Sequence, residues 1–215
     1  MSKEIVFLFY HGMTALDAIG PHEILSRLPN AKVARVAIHA GPIQTDSGVI
    51  LMADHSISDI SNADLLVVPG AGNANTLRSE PKILEWIRAI HAKTTWTASI
   101  CTGSLILGAA GVLNGLRATT HWAAFDRLKR WEAIPTRARV VEDGKVITAA
   151  GVSAGIDMAL ILTAKIAGPQ FAQAIQLGIE YDPAPPFDVG SPEKANPAIR
   201  DALQTRMAAK FENLD

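Results

Sequence analysis

The chain alternates short apolar segments with longer stretches of helical character, and this alternation limits the possible folds more than any other feature. Segments 4–10, 33–38, 64–68 and 96–100 are mostly apolar and short. Such runs are typical of strands buried on both faces of a parallel sheet. Helices are predicted at 21–28, 81–92, 103–110, 122–131, 154–167, 170–180 and 198–211. The pattern predicts a doubly wound α/β fold, in which helices cover both faces of a parallel sheet.

Three further segments are predicted to add small elements. Residues 43–52 alternate around Ser47-Gly48, which predicts a small hairpin or an excursion from the sheet. Residues 139–149 are predicted to form a hairpin with Asp143-Gly144 as its two-residue turn. Residues 117–120 are predicted to form a short strand. The segment 182–197 contains five prolines, which predicts an ordered but irregular stretch before the last helix.

The composition excludes several functional classes. The 215-residue chain has a net charge of −1, so no overall field draws it to nucleic acid or to an anionic membrane. Its longest nearly apolar run, 158–167, is too short to cross a bilayer, and the apolar start at 5–10 is too short for a signal peptide. A cytoplasmic protein is therefore expected. One cysteine cannot build an internal disulfide or a multi-cysteine zinc site, and the six histidines show no metal-ligand spacing, so no metal is predicted.

The only cysteine, Cys101, lies where the strand 96–100 is expected to turn into a helix. Small residues stand two positions before and after it, Ser99 and Gly103, as in the elbow that lifts a nucleophile above a sheet. The N–H groups and dipole of a helix N-terminus favour thiolate, and such settings lower a cysteine pKa by roughly 1 to 5 pH units. The alternative is a buried structural cysteine, since free cysteines are often buried. The strand, turn and helix together favour the nucleophile.

Three other segments offer chemical groups near strand ends. Asp17, after the first strand, is either a helix N-cap or a buried acid that faces the thiol. The turn Pro69-Gly70-Ala71-Gly72 is either a simple tight turn or a source of backbone N–H groups for a developing anion. His121 is either a base or a histidine at a helix start or in the core.

These motifs together resemble the DJ-1/PfpI superfamily, from residue 4 to about residue 190. Within it the chain is most similar to the isonitrile hydratase branch, which shares Cys-Thr-Gly-Ser at the elbow, Asp in the first loop and a proline-dense tail like residues 176–192. The similarity rests on Gly12, Asp17 and Pro21 in the first loop, then on Val68-Pro69-Gly70, Cys101-Thr102-Gly103, Ala118-Thr119-Thr120-His121-Trp122 and Gly151-Val152-Ser153-Ala154-Gly155-Ile156-Asp157.

The resemblance implies a flavodoxin-like sheet of the kind found in class I glutamine amidotransferases, a homodimer and no cofactor. It implies an α/β domain of this family over 1–181, followed by a proline-rich segment and helix over 182–215 that pack on the domain or on the dimer partner. The implied reaction is hydration of a small-molecule isonitrile to an N-substituted formamide, through a thioimidate on Cys101.

The resemblance also implies roles for individual residues. Cys101 is the expected nucleophile, Asp17 the acid and base, and Thr102 a polar neighbour that positions them. Backbone N–H groups near Gly70, Ala71 and Thr102 are expected to stabilise negative charge. The residues expected to line an apolar substrate pocket are Ile19, His121, Trp122 and Val152.

Departures from other branches leave two alternative functions open. Thr102 stands where the PfpI peptidases have His, Asp17 stands where DJ-1 has the longer Glu, and Ala71 replaces a common glycine. One alternative is a glyoxalase or deglycase of the DJ-1 type. The other is a thiol-based redox or ligand sensor without turnover. Some transcription regulators carry this domain, but the tail here is proline-rich and not basic, so no DNA-reading module is expected.

Overall fold

The computed structural model describes residues 3–72 and 80–211. Its strands are β1 (Lys3–Leu8), β2 (Ala31–Ala37), β3 (Gly41–Gln44), β4 (Ile50–Ala53), β5 (His55–Ser56), β6 (Leu65–Val68), β7 (Trp96–Ile100), β8 (Arg117–Ala118), β9 (Ile134–Pro135), β10 (Val140–Asp143) and β11 (Val146–Ala149). Its helices are α1 (Ala15–Leu25), α2 (Pro81–Lys93), α3 (Gly103–Ala109), α4 (Ala154–Ala167), α5 (Pro169–Gly178) and α6 (Pro197–Phe211). A 3₁₀ segment spans Trp122–Trp131. None of these described helices has both the length and the apolar character needed to cross a membrane.

Seven strands form one sheet in the order β10-β11-β7-β6-β1-β2-β5. Neighbouring strands are parallel except in the β10–β11 hairpin at one edge. Helix α1 packs against α4, which contacts β7, β10 and β11, while α2 packs against α3, which contacts β6 and β7. The predicted α/β sheet with helices on both faces is confirmed. Because β1, β6 and β7 are central, the loops that follow them meet at one edge of the sheet.

Both predicted hairpins are present, as β3–β4 and β10–β11. The second turn is Gly144-Lys145, one residue later than predicted, because Asp143 pairs with Val146 and Gly144 takes the left-handed φ of 57°. Glycine is favoured at the first position of such a turn since it has no Cβ to clash. The predicted strand 117–120 shortens to Arg117–Ala118, and the predicted helix 122–131 is of the 3₁₀ type.

Helix α1 begins at Ala15, so the prediction that it begins at Pro21 is wrong. Pro21 lies inside the helix, although proline there removes the hydrogen bond to the carbonyl of Asp17. Packing explains the difference: α1 lies so close to α4 that a Cβ added to Gly155 would stand 3.0 Å from Pro21 Cγ. The early start brings Asp17 into the helix, and its side chain is buried.

The last part of the chain combines an irregular segment with one helix. Residues 182–196 contain no strand and no α-helix and are mostly exposed, as the prolines predict. Helix α6 contacts the 3₁₀ segment, and Met207 packs against the edge of the hydrophobic core. The irregular segment therefore leaves the sheet and runs past the loops at its carboxyl edge.

Candidate active site

Cys101 lies in a strained turn between β7 and α3. Its φ is 56°, in the left-handed region that residues other than glycine rarely adopt. Its N–H donates to the carbonyl oxygens of Ala149 (3.1 Å) and Ala150 (2.8 Å), and its carbonyl oxygen accepts from the hydroxyls of Thr120 (2.9 Å) and Ser104 (3.2 Å). These four bonds hold the turn in place, so the thiol is fixed at the carboxyl edge of the sheet.

Two glycines let the backbone close up around this turn. A Cβ on Gly103 would lie 2.2 Å from the carbonyl oxygen of Val68, and a Cβ on Gly70 would lie 2.5 Å from the backbone nitrogen of Thr102. Neither glycine has a positive φ. Both positions therefore require glycine for space rather than for backbone conformation, which is the physical reason for a small residue two positions after the nucleophile.

Asp17 lies in the first turn of α1, and Thr14 is the N-cap residue, so the N-cap interpretation of Asp17 is wrong. The Asp17 side chain is buried, its Oδ2 accepts the N–H of Gly70 at 2.9 Å, and its Oδ1 has no hydrogen-bond partner in the described structure. Burial raises the pKa of Asp17 to about 7; the bond from Gly70 opposes this rise and the charge of Asp46 adds to it. The carboxyl group therefore changes protonation state near neutral pH.

The Cys101 thiol and the Asp17 carboxyl interact directly. Burial, and then the charge of Asp17, raise the pKa of Cys101 well above its usual value, while the N–H and hydroxyl of Thr102 favour the thiolate more weakly. The lowered pKa expected from the helix N-terminus is therefore wrong in direction. Because Asp17 ionises before Cys101, the pair keeps a single proton, on sulfur, above about pH 7.

Thr102 connects this pair to the turn after β6. Its hydroxyl accepts the N–H of Ala71 at 2.9 Å and lies 2.8 Å from the Ala71 carbonyl oxygen, to which it donates. The N–H of Gly70 is donated to Asp17. Two of the three backbone N–H groups expected to bind an anion, those of Gly70 and Ala71, are thus already engaged, whereas the N–H of Thr102 interacts with the Cys101 sulfur. Gly70 positions the acid and Ala71 positions Thr102, a different role from the predicted one.

A cavity of about 540 Å³ opens beside the elbow. It is lined by residues 119–122, 137–139, 150–153 and 190–193, with Leu16 and Phe125. Cys101, which is 5% exposed, adjoins this cavity through Thr120 and Ala150, the two lining residues that hydrogen-bond to its backbone. The cavity therefore lies one residue away from the nucleophile, and Cys101 itself is not among its lining residues.

Three of the four predicted pocket residues, His121, Trp122 and Val152, line this cavity, and Ile19 does not. Ile19 lies on the outer face of α1 with 42% of its surface exposed, and Leu16, on the preceding turn, lines the cavity instead. The early start of α1 causes this exchange.

His121 is the N-cap of the 3₁₀ segment, with Nδ1 accepting the N–H of Ala123 at 3.3 Å. Burial lowers the pKa of His121, so the ring is neutral at pH 7. The helix-start interpretation is therefore confirmed, on the wall of the cavity. Within residues 3–72 and 80–211, no group of three or more His, Cys, Asp or Glu side chains is arranged to hold a metal ion.

The sequence reasoning missed the charged part of the cavity. Arg137 and Arg139 reach it from the loop before β10, and Glu193 reaches it from the irregular tail. Nothing in the pattern around the arginines distinguishes them from surface residues. The proline-dense tail did signal a further contact, because an ordered segment must pack on another part of the protein. Its position along the chain does not show which part that is.

Known proteins that are similar to this chain agree with the geometry of the site. The sequence profile of the DJ-1/PfpI family matches residues 3–165. The isonitrile hydratase of Pseudomonas putida is 41% identical over 212 residues, which are 99% of this chain and 93% of that protein. The chain belongs to the DJ-1/PfpI family.

Two further proteins are similar to this chain. The crystal structure of a ThiJ/PfpI family protein from Pseudomonas syringae superposes with a TM-score of 0.96 at 36% identity, covering 99% of this chain and 88% of that one. The HTH-type transcriptional regulator CdhR from Pseudomonas aeruginosa is 32% identical over 182 residues, which are 80% of this chain and 53% of the regulator. The family resemblance carried by the motifs is confirmed.

Proposed function

We propose that this protein is an isonitrile hydratase, which adds water to R–N≡C and releases the N-substituted formamide R–NH–CHO. The observation that carries the chemistry is the buried pair of Cys101 and Asp17, because it joins a nucleophile to an acid that titrates near neutral pH. The full-length similarity to the Pseudomonas putida isonitrile hydratase supports the choice of substrate.

The first half of the reaction forms the thioimidate. The single proton of the pair moves from sulfur to Asp17 as the substrate enters. The Asp17 carboxyl then gives this proton to the terminal carbon of the isonitrile while the Cys101 thiolate forms a bond to the same carbon. The product is R–N=CH–S–Cys101, and Asp17 is left as a carboxylate. Thr102 stabilises the thiolate before attack through its backbone N–H.

The second half hydrolyses this intermediate. Asp17 takes a proton from water, the hydroxide adds to the thioimidate carbon, and the proton passes to nitrogen. The resulting R–NH–CH(OH)–S–Cys101 loses its hydroxyl proton to Asp17, the carbon–sulfur bond breaks, and the formamide leaves. Cys101 is again a thiolate beside protonated Asp17, so the cycle closes. The unpartnered Oδ1 of Asp17 is the oxygen that moves these protons.

The buried thiol also bears on the two alternatives. A redox sensor needs an accessible, low-pKa thiol, whereas burial and Asp17 raise the pKa of Cys101. A glyoxalase or deglycase uses the same thiol on a dicarbonyl, and no feature of the cavity favours that substrate. Hydration of an isonitrile therefore remains the proposed reaction.

Assembly and location form a further part of the proposal. We infer a homodimer, since apolar Leu177, Phe187 and Ile199 are exposed in the single chain and a second copy would cover them. The contact between α6 and the 3₁₀ segment supports packing of the tail on the domain, over its described residues 182–211. A lone thiol that must stay reduced supports the cytoplasm. Sedimentation at the mass of one chain would contradict the dimer.

The covalent step is tested with wild type and Cys101→Ala on an alkyl isonitrile. Formamide formation is followed by chromatography and thioimidate by intact mass after acid quench. We expect wild type to carry an adduct of one isonitrile mass and Cys101→Ala to lose about a thousandfold or more of kcat/KM. Ser104→Ala, which removes only the hydroxyl on the Cys101 carbonyl, is the matched control. Formamide from Cys101→Ala at the wild-type rate would end the covalent mechanism.

A further inference from the structure

The walls of the cavity beside Cys101 differ in chemistry. Its apolar lining residues, called here the apolar wall, suit the hydrocarbon part of an isonitrile; they include Leu16, Trp122, Phe125 and Val152. Its charged lining residues, called here the charged wall, are Arg137, Arg139 and Glu193. An alkyl isonitrile has no charged group, so it would contact the apolar wall and leave the charged wall without a binding partner.

Arg139 is held in place by its neighbours. It forms a salt bridge to Asp157, its Nη2 donates to the hydroxyl of Ser153 at 3.3 Å, and the Tyr181 hydroxyl donates to Asp157 at 2.8 Å. Its carbonyl oxygen accepts the N–H of Ala150, whose own carbonyl binds the N–H of Cys101. Arg139 therefore ties the charged wall to the elbow, but its charge is already balanced by Asp157.

Arg137 is balanced far more weakly. Its guanidinium lies over the ring of Phe125, 4.5 Å from the centroid, which orients it without neutralising it. Its carboxylate partner, Glu193, is 4.0 Å away, and both side chains are about two-thirds exposed. An exposed pair at this distance is weak. Glu193 belongs to the irregular tail, so this acid can be exchanged without unfolding a helix or strand.

We propose that the cavity takes isonitriles that bear a carboxylate, which Arg137 binds in place of Glu193. This inference rests on the isonitrile hydratase function and names its substrate class. A guanidinium presents two parallel N–H donors to a carboxylate, and the ring of Phe125 holds the guanidinium plane ready for them. The hydrocarbon between isonitrile and carboxylate then lies along the apolar wall.

If the substrate carboxylate replaces Glu193 on Arg137, two substitutions should change the preference for acidic substrates in opposite directions. Arg137→Met removes the cation and keeps an apolar side chain on Phe125. Glu193→Gln keeps the size of the tail side chain and removes its competing charge. If the carboxylate of the substrate replaces that of Glu193, the first change must weaken selection of the acid and the second must strengthen it.

The test measures kcat/KM for a series of ω-isocyano carboxylates of increasing chain length and for their methyl esters. The ratio of acid to ester at each length isolates recognition of the charge from any change in the apolar wall. We expect the ratio to fall about threefold to fivefold in Arg137→Met and to rise about twofold in Glu193→Gln, since exposed charge pairs contribute modestly. Arg137→Lys, which keeps the charge but not the planar fork, is expected to lie between wild type and Arg137→Met.

Circular dichroism and melting temperature confirm that each variant is folded. A ratio that stays at the wild-type value in both Arg137→Met and Glu193→Gln, at every chain length, overturns the inference. Absence of formamide from the esters and the acids with wild type instead overturns the proposed function. The two failures are therefore distinct.

Discussion

Two aspartates at opposite edges of the sheet make the same hydrogen bond with different results. At the carboxyl edge, Asp17 accepts the N–H of Gly70 at 2.9 Å, and at the amino edge Asp64 accepts the N–H of Glu4 at 2.8 Å. Asp64 is exposed to water, whereas Asp17 is buried with Oδ1 unpartnered and a pKa raised to about 7. Burial therefore turns a bond that only joins two segments into part of an acid–base group.

The two edges also differ in the cavities that they form. The cavity at the amino edge, about 380 Å³, lies among strand starts and includes Ile5, Leu65 and Trp96. None of its described lining residues is a cysteine or has a left-handed φ. At the carboxyl edge a strained cysteine and a buried acid stand together. Strain and unsatisfied burial are each costly, and at Cys101 and Asp17 the two occur side by side.

The largest expected effect comes from comparing Asp17→Asn with Asp64→Asn. Both variants keep an oxygen to accept the backbone N–H and lose the carboxyl. We expect kcat/KM for an alkyl isonitrile to fall about 100-fold to 10,000-fold in Asp17→Asn, because proton transfer to carbon is lost. Asp64→Asn is expected to stay within about twofold of wild type. Equal turnover by the two variants would remove the acid–base role of Asp17.

An intermediate effect is expected in the pH dependence of stability. The pKa of Asp17 is about 7 when folded and 3.8 by reference, so between these values the folded protein binds more protons than the unfolded chain. The free energy of unfolding then decreases as pH rises, by at most about 1.4 kcal/mol per pH unit. Asp17→Asn should lose this decrease, while Asp64→Asn should keep it.

Chemical denaturation at intervals between pH 4.5 and 7.5 measures this difference. The expected result is a gap between Asp17→Asn and wild type that shifts in favour of the variant as pH rises. Parallel curves for the two proteins would mean that the Asp17 carboxyl ionises normally in the folded state, and the comparison between the two edges would lose its basis.

The smallest expected effect concerns Asp46, whose Oδ2 accepts the hydroxyl of Thr14 at 2.7 Å. The charge of Asp46 contributes to the raised pKa of Asp17. Asp46→Asn keeps an acceptor oxygen and removes the charge, so the pKa of Asp17 should fall. The acidic limb of the kcat/KM profile should then move to lower pH by about half a pH unit or less. A shift to higher pH would contradict this assignment.

Much of the fold was predictable because its signals are local. Short apolar runs identify β1, β6 and β7, and the small residue at 103 identifies the elbow at Cys101. The start of α1 was not predictable in the same way, since Pro21 normally marks a first turn. Its packing against Gly155 outweighs that preference. With this early start, Leu16 rather than the predicted Ile19 lines the cavity.

The sequence could not predict the charged wall of the cavity or the protonation states of Cys101 and Asp17, for a different reason. Arg137 and Glu193 come together only because the irregular tail crosses the carboxyl edge of the sheet. The spacing of apolar residues in the sequence does not predict the course of that tail. The direction of the Cys101 pKa shift depends on how completely Asp17 and the thiol are shielded from water. Both are properties of distant segments brought into contact.

Local sequence patterns thus determined the order of strands and helices, the family and the position of the nucleophile. The resemblance implied that Asp17, Gly70 and Thr102 lie near Cys101. The tertiary structure alone decided which of their backbone N–H groups are engaged and how completely Asp17 is buried. The physical reason is that backbone patterns act over a few residues, whereas desolvation and charge act across whatever segments the fold packs together.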